Sequence, residues 1–526
     1  MPSFLLDNEP VEFEQGDSIL HAVLRHGAHI PYYCYHPGLS VVAQCRMCLV
    51  EIADMGNGKG LPKLQASCST PAANGMKVVS KSQKVIDAQN GVNEFLLVNH
   101  PLDCPICDQA GECDLQDFAF AYGSGHSEME YEKRVYGWRD VGTYIALERN
   151  RCVHCSRCER FSREVEGGHD FGMFLRAHEL TFDTYDDVEI THPYQGNLVD
   201  LCPVGAITER EFRFKKRAWK LHKTESICAG CATGCNITIE HHRDKVERFK
   251  PRENPDVNRW WMCDVGRIGY RGLNDRQNRP LEPLARIKGE LRAAGWDAVY
   301  GAIAQRVRDS GAKAGAVVGL ADTHATNEEL ALFRSLLGDV FGGKTVIFPD
   351  SAANDPPAKN FLHGLLVGDR SPNRAGARAL GLTGDANGSQ ATKALGAAKV
   401  VFVLGSAFAE NAAVRQTASK AELIVQIGSR FDEWRDAADV ILPGQTHAEK
   451  SGTFTNKLNR VQRFQPAIHA PEGTREQTRI LQELMIACGQ ERKVLSAEEV
   501  LAGIGKPFGG LDWSKVGAQG VTLAGT

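Results

Sequence analysis

No apolar run in this 526-residue chain approaches the roughly 18–20 residues that a membrane-crossing helix needs. The longest candidates, around Ala316–Leu320 and Val400–Leu404, have the length of strands. Any work at a membrane would therefore require another subunit to hold the chain there. The opening Met1-Pro-Ser-Phe-Leu-Leu-Asp-Asn-Glu-Pro has neither a basic start nor a long apolar stretch, so it does not read as a secretory signal. Charge of either sign is not in excess: the formal net charge is -4, which gives no reason to expect nucleic acid as a partner. There is no convincing G-x-G-x-x-G fingerprint, so a dinucleotide site is expected elsewhere. Solenoid repeats and low-complexity tracts are also missing. Most telling, no cysteine occurs between Cys263 and Cys488.

Cysteine is concentrated instead in the first half. There are 16, and all but Cys488 fall between Cys34 and Cys263. Composition is otherwise that of a globular protein, with 42% hydrophobic and 24% charged residues. The length allows about three or four domains with cores of their own, so metal is not needed merely to fold. Without a secretory signal a reducing cytosol is expected, and clustered thiols then point to metal ligation rather than to disulfides.

The organisation is coarse but legible. Phe4–Leu6 and Val11–Phe13 bracket an expected hairpin turn, and Ser18 is placed to cap a helix running to about Arg25. Leu49–Ile52 and Met76–Val79 read as further strands, and a helix is expected from Val85 to Val98, just before His100-Pro101. After about residue 280, strand-like runs (Ala316–Leu320, Thr345–Phe348, Val400–Leu404, Leu423–Ile427, Val440–Leu442) alternate with helix-like stretches, one opening on the capping-box pattern Thr326-Asn-Glu-Glu329. Such alternation predicts a parallel, doubly wound α/β layer.

Fifteen clustered cysteines and one histidine divide into four sets of four. Cys34, Cys45, Cys48 and Cys68 are spaced C-x10-C-x2-C-x19-C, which fits a [2Fe–2S] rhomb better than a zinc ribbon. His100, Cys104, Cys107 and Cys113 (H-x3-C-x2-C-x5-C) suit either zinc or a [4Fe–4S] cube with one imidazole corner. Cys152, Cys155, Cys158 and Cys202, the last followed by Pro203, show the C-x2-C-x2-C…C-P signature of a ferredoxin cube. Cys228, Cys231, Cys235 and Cys263 (C-x2-C-x3-C-x27-C) again read as [4Fe–4S], with zinc as the weaker rival. Four neighbouring sets support one another, because a wire needs closely placed carriers.

Among flanking residues, Gly111 and Gly230 would let backbone N–H groups approach sulfur, or serve simply as turn glycines. His154, inside the third loop, is expected beside the ligands rather than among them. Arg210–Lys223 carries seven Lys/Arg with Phe212, Phe214 and Trp219 interleaved. It reads as a solvated or subunit-facing linker whose Lys215, Lys216 and Arg217 offset the charge of the third site.

The stretch Asn99-His-Pro-Leu-Asp-Cys-Pro-Ile-Cys-Asp-Gln-Ala-Gly-Glu-Cys-Asp-Leu-Gln116 resembles the large iron–sulfur subunit (the G type) of bacterial NADH:quinone oxidoreductase, the respiratory complex I. So do Arg151-Cys-Val-His-Cys-Ser-Arg-Cys158, Asp200-Leu-Cys-Pro-Val-Gly-Ala-Ile207 and the fourth set. The region after 280 resembles the molybdopterin-oxidoreductase fold, at Ala438-Asp-Val-Ile-Leu-Pro443 and Ala448-Glu-Lys-Ser-Gly-Thr-Phe-Thr-Asn456. The resemblance implies an α+β and α/β multidomain chain. Its parts would be a β-grasp [2Fe-2S] ferredoxin-like domain (1–80), a histidine-plus-three-cysteine [4Fe-4S] segment (81–120), a ferredoxin-type [4Fe-4S] domain (121–220), a four-cysteine [4Fe-4S] module (221–275) and a truncated molybdopterin-oxidoreductase-like scaffold (276–526). One [2Fe–2S] and three [4Fe–4S] clusters are then expected, the fourth set off the main path, and no molybdopterin, since the usual cysteine ligand to molybdenum is missing. The implied function is an electron relay from a flavin-bearing, NADH-oxidising partner towards quinone, on the cytoplasmic side of the inner membrane, held there by other peripheral-arm subunits. No catalytic acid, base or nucleophile is required. The rival readings are an electron-transfer subunit of an NAD-linked formate dehydrogenase or hydrogenase, and a scaffold stapled by four zincs.

Overall fold

The computed structural model describes residues 1–127, 129–311, 314–343, 346–350 and 358–523. The chain divides into two compact units, one of Met1–Leu221 with Asn360–His363, the other of His222–Lys359 with Gly364–Thr526.

The first unit begins with the expected hairpin. Ser3–Leu6 pairs antiparallel with Glu9–Glu12 around Asp7 and Asn8, both in the left-handed region (φ 50° and 75°). Ser3–Leu6 also pairs in parallel with Lys77–Val79, which in turn pairs antiparallel with Leu49–Asp54. Ile19–Arg25 is the predicted helix, with the Ser18 side chain accepting from the His21 N–H. Its apolar face (Ile19, Leu20, Ala22, Val23) packs on Phe4, Val11 and Val50, giving the ferredoxin-like domain a core of its own. The next helix, Gln83–Leu97, starts two residues earlier than its apolar pattern, with Ser82 at its N-cap position, and ends one residue sooner than expected. His100 therefore lies beyond the helix end.

The gap of 43 residues between Cys158 and Cys202 is closed by a sheet that sequence spacing does not announce. Ile145–Glu148, just before the third loop, pairs antiparallel with Ile207–Glu209, just after Cys202. Leu147 opposite Ile207 brings the remote cysteine back to the loop that carries the other three.

In the second unit, His222–Ile227, Asn236–His242 and Lys245–Pro251 form an antiparallel sheet that frames the fourth cysteine set. Beyond it lies an eight-stranded sheet. Six of its strands run parallel, in the spatial order Val440–Pro443, Leu423–Gly428, Val400–Leu404, Val317–Ala321, Val346–Pro349, Thr383–Asp385. The Val/Ile/Leu-rich inner strands Val317–Ala321, Val400–Leu404 and Leu423–Gly428 are buried on both faces, where separate apolar clusters pack, whereas the edge strand Thr383–Asp385 is partly exposed. The predicted strands shift by a residue or so: Ala316 falls in a short 3-10 turn, and Thr345 lies outside the described residues. Thr326 and Glu329 make the reciprocal capping box. No helix among the described residues is long and apolar enough to cross a membrane.

Candidate metal centres

The first set sits in a loop that curls back on itself through Ala43 and Arg46, both with positive φ (51° and 59°), which turns backbone N–H groups inward. The Cys34 N–H points at the Cys45 sulfur at 3.5 Å. Cys34 also shares thiol hydrogen bonds with Cys45 and Cys68, and Cys48 with Cys68. The four thiols thus form one run, Cys45–Cys34–Cys68–Cys48, in which each sits beside the next. Proton sharing within the group lowers Cys34 and raises Cys45 and Cys68.

In the second set Cys107 and Cys113 are buried and Cys104 is exposed. Burial raises both buried thiols, Cys113 to about 12. His100 is pushed down to about 4, by burial first and then by Lys133 and Arg151, so its imidazole is neutral with a lone pair to offer. Its electrostatic neighbours are Lys133, Arg151 and Asp103 rather than the three thiols, and it shares a cavity of 70 Å³ with Asn99, Cys152 and His154.

The third set is gathered by positive φ at His154 and Ser156 (50° and 59°). The His154 N–H meets the Cys152 sulfur at 3.3 Å, which places that residue against the third set. Cys152, Cys155, Cys158 and Cys202 all feel one another's charge, and burial raises Cys202 to about 11. The fourth set is likewise mutually coupled and fully enclosed. The Gly230 N–H lies 3.4 Å from the Cys228 sulfur and the Gly266 N–H 3.4 Å from that of Cys263. Gly230 thus plays the sulfur-facing role, whereas Gly111 is needed for packing: a Cβ there would sit 2.4 Å from the Trp219 ring.

Zinc bound at about 2.3 Å would draw its thiolates to about 3.8 Å from one another. Among the described residues no three cysteine sulfurs lie within 4.8 Å of each other, a spread that leaves room for an iron–sulfur core. The triple that does come so close is Glu166, Asp170 and His192. There the Tyr194 N–H donates to His192 Nδ1, so the ring proton belongs on Nε2, 3.2 Å from Asp170 Oδ2, and the cluster holds a proton where a metal would need a lone pair.

Sequence reasoning missed the residues that join the first three sets. Arg151, next to Cys152, donates through Nε and Nη2 to Asp103, next to Cys104, at 3.0 and 2.8 Å. The Asp114 N–H, after Cys113, donates to the Pro203 carbonyl, after Cys202, at 3.0 Å. Gly205 presses on Cys107, where a Cβ would come within 2.2 Å of the sulfur. Gln44, in the first loop, donates to the His154 carbonyl at 2.6 Å. One continuous apolar core contains Cys34, Cys113 and Cys155, with Cys45, Cys152 and Cys202 packed against it. The basic segment is also relocated: Arg217 donates to the carbonyls of Cys107 and Pro105, and the Phe214 N–H to Asp108, so it braces the second site rather than screening the third. Phe212 is buried, whereas Phe214 and Trp219 stay exposed, as a solvated or subunit-facing linker would leave them.

Five families match in chain order. Residues 2–83 match a 2Fe-2S iron-sulfur cluster binding domain, and 89–128 the NADH-ubiquinone oxidoreductase-G iron-sulfur binding region. Residues 142–208 match the ferredoxin-like domain of NADH-quinone oxidoreductase subunit 3, and 221–271 the NDSU1/NuoG-like 4Fe-4S domain of NADH-ubiquinone oxidoreductase. Residues 358–486 match molybdopterin oxidoreductase. Three of these families, spanning residues 89–271, are named for NADH-quinone or NADH-ubiquinone oxidoreductase subunits. Among curated relatives, the NADH-ubiquinone oxidoreductase 75 kDa subunit of Reclinomonas americana is 38% identical over 67% of this chain and 49% of its own length. The NADH-quinone oxidoreductase G subunit of Rickettsia bellii is 37% identical over 64% of this chain and 48% of its own. The chain thus spans about half the length of these relatives. A solved chain of an NAD+-reducing [NiFe]-hydrogenase in the H2-reduced state is 29% identical, covering 41% of this chain and 90% of that one, with a TM-score of 0.36.

In the second unit, a cavity of 350 Å³ opens at the C-terminal ends of the parallel strands, bounded by Asp322 and His324 together with Arg430, His447 and Lys450 of the segment that matches molybdopterin oxidoreductase. Among the described residues no cysteine lines it, so it lacks the soft sulfur ligand usual at a molybdenum site.

Proposed function

We propose that this chain is an electron-relay subunit of an NADH:quinone oxidoreductase. Electrons from NADH, oxidised at flavin on a partner, would enter it and leave towards quinone on another subunit, with this chain peripheral to the membrane on the cytoplasmic side. The reading is carried by one observation: three cysteine sets with iron–sulfur spacing share a single apolar core and are tied to one another by hydrogen bonds. A structural zinc staple needs no such sharing, whereas electron exchange depends on closely placed carriers.

In this reading Cys34, Cys45, Cys48 and Cys68 hold a [2Fe–2S] cluster. His100 with Cys104, Cys107 and Cys113, Cys152 with Cys155, Cys158 and Cys202, and Cys228 with Cys231, Cys235 and Cys263 hold one [4Fe–4S] cluster each. Such clusters supply one-electron storage at low potential. The chain's own residues bury most of the thiols and direct the N–H groups of His154, Gly230 and Gly266 at sulfur. The five-part division at residues 80, 120, 220 and 275 is proposed with it, and 276–526 acts as scaffold.

Metal analysis tests this directly. Anaerobically purified protein should contain about 14 irons and matching sulfide, from one two-iron and three four-iron clusters, with EPR signals appearing on stepwise reduction. About four zincs and no reducible signal would make the chain a scaffold and end the relay reading.

A further inference from the structure

Arg160 is among the most buried side chains of the chain, 1% exposed, yet it is a cation. Its guanidinium donates to the carbonyl of Cys34 in the first set and, at 3.3 Å, to that of Cys155 in the third. It also reaches the Ser40 carbonyl in the first loop, and through Nε the Ser156 carbonyl and hydroxyl, both at 3.3 Å. Among the described residues no carboxylate lies within 4 Å of its nitrogens. The nearest acid, Glu164, is engaged by the Ser40 N–H and hydroxyl and by Arg163. A buried charge without a paired anion is heavily penalised, and in practice is matched by one nearby. The negative charges that act on Arg160 are the Cys34 thiol on one side, the Cys155 thiol on the other, and more weakly the Glu164 carboxylate.

We propose that Arg160 is a shared positioning and tuning residue of the first and third sites: its fork holds the two ligand loops in register, and its charge stabilises an added electron on either side. The anions that balance it are the thiolate-ligated cores themselves. This rests on the iron–sulfur reading of those two sets. An isolated lysine could supply the charge but not the planar fork that spans two loops.

The test is an EPR-monitored redox titration of the full chain, anaerobically purified, as wild type, Arg160→Gln and Arg160→Lys. With the charge removed, the first and third midpoints should both move to more negative potential, by about tenfold in the reduction equilibrium, or about 59 mV for one electron. The second site, whose ligands Arg160 does not touch, should stay where it is. Arg160→Lys should bring both midpoints most of the way back. Unchanged midpoints in a loaded Arg160→Gln protein, or a shift at only one site, would overturn the shared role. If Arg160→Gln fails to load, Arg160→Lys decides: loading with near-native potentials supports the charge argument, and continued emptiness refutes it. Wild-type protein without iron at either site would instead overturn the iron–sulfur reading beneath it.

Discussion

The cysteine sets of the two units solve the same ligand problem in different ways. In the first unit the sets lean on one another: Arg151 bonds Asp103, Gln44 bonds the carbonyl of His154, Arg160 spans Cys34 and Cys155, and one core runs through all three. In the second unit the fourth set leans on scaffold. The Cys228 N–H closes on the Cys235 carbonyl at 2.8 Å, Ala232 bonds the Asp369 carbonyl, and the Thr233 hydroxyl bonds that of Leu365. Asn456 and Gln462 of the α/β region donate to the carbonyls of Thr233 and Gly234. Shared walls suit sites that exchange electrons. A set bonded to scaffold suits one whose first task is to hold a fold together.

The largest contrast should come from removing one ligand on each side. Cys155→Ser should cost about four irons, disturb the EPR signals of the neighbouring first and second sites, and abolish quinone reduction in the assembled enzyme. Cys228→Ser should also cost about four irons, but leave the other signals intact and slow assembly more than turnover. A fully assembled Cys228→Ser enzyme with no quinone reduction would erase the distinction between the regions.

A smaller contrast uses two glycines. At Gly205 an added methyl would stand 2.2 Å from the Cys107 sulfur, in a loop fixed on both sides by Arg151 and Pro203. At Gly266 the nearest sulfur, that of Cys228, is 3.0 Å away, close enough to require a shift but not an expulsion. Gly205→Ala should therefore lose the second site's iron selectively, whereas Gly266→Ala should keep the fourth site loaded with an altered signal. Iron per chain and EPR decide it; a Gly205→Ala protein with a full complement would mean that the loop is softer than its bonds suggest.

What sequence could reveal follows from how local each cause is. Ligand spacing within a loop is local, so the triple at Cys152, Cys155 and Cys158 stands out, and the parallel strands show as Val400–Leu404 and Leu423–Ile427 because double burial leaves no polar position. The capping box at Thr326 is likewise a three-residue event. The joins between sites are not local. Arg160 finds partners 120 and 126 residues upstream, Arg217 braces a loop 110 residues before it, and Gly205 matters because of Cys107. A charged or small residue carries no mark in sequence of the distant group it will face. That is why Arg210–Lys223 read as solvated although Phe212 is buried.

The two regions also differ in how they bury charge, and Glu328 offers the finest test of that. Arg160 is a buried cation held by backbone carbonyls of two cysteine loops, whereas among the described residues no cation is bonded to Glu328, which is fully buried in the second unit. It accepts from the Thr453 N–H at 3.0 Å and the Thr453 hydroxyl at 2.6 Å, and burial raises it from 4.5 to about 7. Its neighbour Glu329 instead pairs with Lys450. Between pH 4.5 and 7 the folded chain holds the Glu328 proton and the unfolded chain has released it, so stability falls as pH rises through that window. The whole effect is at most about 3 kcal/mol. Glu328→Gln keeps an oxygen for the Thr453 N–H while removing the titration. It should flatten the pH dependence of the second unit's thermal unfolding across this window and raise its stability above pH 7. A variant that unfolds with the wild-type pH slope would show that Glu328 stays ionised in the fold, and that a cation or water reaches it.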